Sequence, residues 1–168
     1  MDRTPEPNDA DERDLVLGWL SYHRDAFASK CEGLDAAQLV TAGPAGTTMS
    51  LLGLMRHLTE MERVYATYAL GGSPTGELEF VYGPYVDGGP EGDFDGLTPD
   101  HVEPSTAAWH AERDAADRTI ASMSSMGTPG AGNRRSLRWN LVKLMQEYAR
   151  HNGHADLIRQ SIDGAIGE

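Results

Sequence analysis

The sequence holds a single cysteine, Cys31. No disulfide can therefore form within the chain, and a reducing cytoplasm is the expected compartment. Positive charge is also scarce: 14 Lys and Arg face 26 Asp and Glu, for a formal net charge of −12. Nucleic-acid affinity is carried mainly by clustered Lys and Arg that displace counterions from phosphate, so this deficit argues against a nucleic-acid partner. No apolar run approaches the roughly 20 residues of a membrane span. The opening MDRTPEPNDADERD is acidic and proline-bearing, unlike the basic flank and apolar stretch of a signal peptide. No Gly-rich phosphate loop follows a strand, and no serine stands in a nucleophile-elbow context. Cys31 shares an apolar stripe with Leu20, His23 and Phe27, which suits a small core hydrophobe better than a nucleophile.

What is present reads as one domain over residues 1–168, with a flexible start at 1–9 and an ordinary 39% of hydrophobic residues. Apolar positions recur at spacings of three and four in four segments, which is the helix period. The first covers 10–32 through Val16, Trp19, Leu20, Phe27 and Cys31. The second starts at a Thr48 or Ser50 cap and runs to about Leu70, where Gly71-Gly72 ends it. The third runs from about Pro104 to Met123. The fourth runs from Ser136 to Asp163-Gly164 with Leu137, Leu141, Leu144, Tyr148, Ala155, Ile158 and Ile162 as its stripe. Between the second and third, residues 71–102 are dense in Gly, Pro and Asp and read as a long loop, a crossover or substrate lid. Within it Leu78–Tyr82 has the pattern of a short strand. The expected fold is an all-α four-helix up-and-down bundle.

The fourth helix contains EYARHNGH, Glu147 to His154. Residues 144, 147, 151, 154 and 158 share one helical face, so Glu147, His151 and His154 stack on a line between Leu144 and Ile158. Imidazole and carboxylate suit zinc first, with nickel, iron and manganese as alternatives. Two half-buried imidazoles side by side would otherwise be an unfavourable intrusion into a core, which coordination removes. One helix cannot close a coordination sphere, and His57, at the edge of the second helix's apolar face, is the candidate donor from outside it. A triad of His57, His151 and His154 would leave positions open for water or substrate, with Glu60 one turn beyond His57. His23, His101 and His110 read as core residues. The cluster of Arg134, Arg135 and Arg138 is a solvated patch by default; functionally, Arg135 and Arg138 would hold a carboxylate-bearing ligand.

The stretches LLGLMRHLTEMERVY and SLRWNLVKLMQEYARHNGHADLIRQSIDG resemble the actinobacterial branch of the DinB-like four-helix metalloproteins, whose members include mycothiol- and bacillithiol-dependent S-transferases. The resemblance covers about residues 11–166. It implies an up-down-down-up course for the bundle, a divalent metal held by a triad from helices two and four, mycothiol as co-substrate, and a homodimer. His57 takes the place of the family's helix-two histidine. Aligned on the family's histidine pair four residues apart, His151 takes the second place and Glu147 the first; the related maleylpyruvate isomerase resembles a His, Glu, His set. Spacing allows His151 with His154 equally. The expectation is a triad of His57, His151 and His154, with Glu147 as an alternative ligand or the general base. Relatives carry His where this chain has Lys143, a cation that can pair with Glu147 or weaken metal binding. The implied activity is metal-dependent conjugation of a low-molecular-weight thiol to a small-molecule electrophile, in detoxification or stress response. The alternatives are a thiol-dependent isomerase and a non-enzymatic metal- or ligand-binding protein.

Overall fold

A computed structural model describes residues 4–44, 46–83 and 92–167, and among them every regular element is helical. The elements are α1 (Glu12–Cys31), α2 (Ala36–Leu39), α3 (Leu51–Glu62), a π-helical turn (Arg63–Thr67), α4 (Tyr68–Gly71), a 3-10 turn (Pro99–His101), α5 (Val102–Ser122) and α6 (Leu137–Asp163). None of the helices among the described residues is long and apolar enough to cross a membrane.

Local chemistry sets most boundaries. Asp11, Ser50 and Ser136 each accept a backbone N–H from the first turn of the helix they precede, and Gly164 closes α6 in the left-handed conformation at φ 79°. The third expected helix begins earlier than Pro104. His101 accepts the Thr98 N–H at 3.0 Å, which builds a 3-10 turn that leads straight into Val102. Two elements were not expected. Asp35 and Gln38 form a reciprocal capping box that starts the short α2. The second expected helix is α3, the π turn and α4 in unbroken succession, and the wider turn shifts the register of the inward face midway.

Leu78–Tyr82 does not form a strand. Side chains of the preceding helix take up its backbone groups: Arg63 donates to the Glu79 carbonyl at 3.1 Å, and the Tyr82 N–H donates to Glu60 at 2.6 Å. The segment expected to act as a lid is irregular over 72–83 and 92–98, and its middle, 84–91, lies outside the described residues. His110 is exposed and Trp109 takes the core position beside it.

α6 packs on α1 and α3, and α5 packs on α3 and the π turn. Leu51, Leu54 and Leu58 of α3 meet Leu137, Leu141, Leu144 and Tyr148 of α6 with Phe27 and Trp109, all essentially inaccessible. A buried polar network crosses this core. Arg24 of α1 forks onto Glu62 of α3 at 2.7 and 2.6 Å and donates to Asp117 of α5 at 2.7 Å. Tyr148 of α6 donates to Glu62 at 2.8 Å, and the Trp109 indole of α5 donates to the Tyr148 oxygen at 3.0 Å. All four long helical elements are thus tied to one carboxylate.

Candidate metal centre

α3 and α6 face each other, and their polar positions converge beside the apolar core. The ring centroids of His57 and His151 are 4.6 Å apart at 65°. One helical turn before His151, Glu147 turns its Oε2 toward the His151 Nε2 at 3.7 Å. His57, Glu147 and His151 each offer a ligand atom, and all three atoms lie within 4.8 Å of one another. A tetrahedral ion with bonds of about 2.1 Å places its donors about 3.4 Å apart, so a small inward adjustment would close them on one cation. Two imidazoles and one carboxylate, with the remaining positions open, form a donor set suited to a catalytic divalent ion.

Neighbours fix which nitrogens point inward. The His57 Nδ1 lies 3.1 Å from Asp93 Oδ2, which leaves Nε2 for the cluster. Carboxylate-supported imidazole of this kind sets the tautomer and raises ligand basicity. The loop that carries Asp93 is seated by Phe94, whose ring stacks on His57 at 5.7 Å between centroids and lies against the backbone of α3 at Gly53. A Cβ at Gly53 would come within 2.6 Å of that ring, so the absence of a side chain is what lets the loop close onto the helix. His154 stands on the other side of His151, with the two Nδ1 atoms 3.2 Å apart. It meets the nitrogen of His151 that faces away from Glu147.

Burial governs the electrostatics. His151 is driven down to about 3, chiefly by burial and then by the neighbouring His57, His154 and Arg150, so near neutrality its ring is uncharged and one of its two nitrogens keeps a free lone pair. Glu147 is nearly buried, and its Oε1 is 3.5 Å from the Lys143 ammonium, which also donates to Gln146 at 2.8 Å. Glu60, one turn beyond His57, is buried; desolvation raises its carboxyl above the usual range, and its Oε2 has no hydrogen-bond partner among the described residues. A cavity of about 310 Å³ opens over these groups, walled by Met61, Phe80 and Phe94, with Arg150 at its edge.

The structure therefore gathers His57, Glu147 and His151, with His154 behind His151. Arg138 pairs with Glu12 at 2.5 and 2.7 Å, and Arg135 lies over the Trp139 ring at 5.2 Å; neither lines the cavity. Sequence reasoning missed Asp93 and Phe94, which sit in a loop with no periodicity to mark them. Glu60 was legible only as a position three residues after His57. Cys31, half-buried and away from the cluster, has its thiol pushed up to about 12 by burial and stays protonated.

A protein-family model described as Mycothiol-S-transferase matches residues 15–164, which include both helices of the cluster. No curated protein matches the chain.

Proposed function

The chain belongs to the mycothiol S-transferase family, and we propose that it joins mycothiol to a small electrophile at a divalent metal held by His57, Glu147 and His151. The observation that carries this reading is the convergence of three donor atoms at the floor of a cavity. Zinc is the first choice, with nickel, iron and manganese compatible with the same donors. In this reading His154 acts through His151 and Asp93 acts through His57, each holding a ligand ring by its second nitrogen. The helix contacts fit an up-down-down-up bundle, and a cytoplasmic homodimer is the proposed setting.

A bound divalent cation would supply the Lewis acidity that keeps a thiol sulfur deprotonated near neutral pH. With Glu147 engaged as a ligand and Asp93 held on His57, Glu60 is the remaining carboxylate among the residues that line the cavity, and its Oε2, which has no hydrogen-bond partner among the described residues, accepts the thiol proton. The sulfur forms a bond to the electrophilic carbon, the leaving group departs with the bonding pair, and the proton neutralises it. Met61, Phe80 and Phe94 keep water from competing at that carbon.

The test is elemental analysis of the purified protein followed by mycothiol consumption with monochlorobimane. About one divalent ion per chain and metal-dependent thiol loss are expected, with both abolished in His151→Ala. A protein that binds no metal, together with a well-folded His151→Ala variant of unchanged activity, would sink the reading. Recovery of the thiol while a cis double bond is isomerised would replace transfer by isomerisation.

A further inference from the structure

Arg150 is the cation that lines the cavity among the described residues. It is exposed and makes no ion pair or hydrogen bond among them. Other basic residues of this acidic chain are engaged: Arg24 with Glu62, Arg63 with Glu112, Lys30 with Asp156, Arg159 with Asp163. Lys143, the other cation near the cluster, is held by Gln146 and Glu147. A guanidinium with no ion pair among the described residues, next to a candidate ligand in a protein of net charge −12, is the local exception to a field that repels anions.

Beside that cation the wall is apolar and aromatic, formed by Met61, Phe80 and Phe94. A ligand that meets both surfaces has an apolar body and an anionic head, and guanidinium binds carboxylate in a bidentate fork. The cavity, about 310 Å³, is of the size that holds a small aromatic or alkyl acid. From this juxtaposition we infer that Arg150 receives an anionic group on the electrophile, so that the substrate class is a small apolar electrophile bearing a carboxylate. The inference rests on the reading of this cavity as the place where thiol and electrophile meet. Arg150 is then a specificity determinant, distinct from the groups that hold the metal or move the proton.

Calorimetric binding of phenylacetate and its neutral amide, phenylacetamide, to the metal-loaded protein tests this without turnover. Phenylacetate should bind wild type about tenfold or more tightly than Arg150→Gln, with Arg150→Lys between them, because a point charge lacks the planar fork. Phenylacetamide should not distinguish the three. Equal binding of phenylacetate to wild type and Arg150→Gln would overturn the inference and assign the carboxylate to the metal; no binding to wild type would overturn it as well. In turnover, the rate ratio of iodoacetate to iodoacetamide should fall by about tenfold in Arg150→Gln, and an equal loss on both electrophiles would count against a charge-reading role. If wild type consumes no thiol, transfer itself fails while the calorimetry still decides the role of Arg150.

Discussion

Two buried polar clusters sit on the same pair of helices and differ in one respect, the state of their spare valences. At Glu62, both carboxylate oxygens are taken by Arg24, and Tyr148 adds a third bond backed by Trp109. Earlier on α3, and on either side of Tyr148 on α6, His57, Glu147 and His151 bring donor atoms within 4.8 Å of one another. Buried polar groups are normally paired. A cluster that closes on itself is a fastening of the fold, whereas one that converges on a shared point with lone pairs to spare is built for something else to bind.

The comparison breaks most sharply by removing one member from each cluster. Arg24→Leu leaves Glu62 as an uncompensated charge in the core and should cost about 3–5 kcal/mol, read from urea unfolding. His151→Ala in the metal-stripped protein removes a neutral imidazole and should cost well under half of that. If the two substitutions destabilise the stripped protein equally, the distinction between fastening and site fails.

Proton linkage sharpens the contrast. His151 titrates at about 3 in the folded protein against 6.5 when unfolded. Between those values the unfolded state carries a proton that the folded state lacks, so stability is full above about pH 6.5 and falls as pH drops toward 3. The slope from this one group is about 1.4 kcal/mol per pH unit. In stripped protein, His151→Asn should flatten the pH dependence of urea unfolding between pH 6 and 4 by about one proton. An unchanged slope would mean that His151 is already protonated in the folded state.

The helices were readable because local rules made them: the spacing of Leu137, Leu141 and Leu144, the Ser50 and Ser136 caps, and the Gly164 stop each act within one or two turns. Asp35 and Gln38 carry a capping signal of the same local kind, but with only four helical residues behind it no apolar period accompanies it. The π turn at Arg63–Thr67 has no comparable signature, because its wider register answers to packing on α5 and α6. For the site, periodicity put Glu147, His151 and His154 on one face but could not rank them. The ranking depends on where α3 lies against α6, since His151 presents one nitrogen toward Glu147 and the other toward His154. Arg24 with Glu62, 38 positions apart, and Asp93 with His57, 36 apart, are pairings that only the folded chain reveals.

Asp93 gives the next contrast, since it supports the site from a loop and contributes nothing to the core. Asp93→Asn should lower metal affinity by about 10–100-fold, measured by competition with a chromophoric chelator, while urea unfolding of the stripped protein stays within about 0.5 kcal/mol of wild type. A stability loss without an affinity loss would reassign the His57–Asp93 contact to the fold.

Lys143 is the smallest lever and the one that works against the site. Its ammonium, 3.5 Å from Glu147, competes with any cation for that carboxylate, and it also hydrogen-bonds Gln146 and lies 5.6 Å from the Tyr65 ring centre. Because the side chain is partly exposed, it can swing toward Gln146 when Glu147 is engaged elsewhere, which limits the penalty it imposes. Lys143→Met should therefore leave folding stability within about 1 kcal/mol, because the pair is long and its ammonium partly exposed, and raise metal affinity by no more than about tenfold in the same chelator competition. A fall in affinity would show that Lys143 positions Glu147 for the metal, turning an apparent competitor into part of the site.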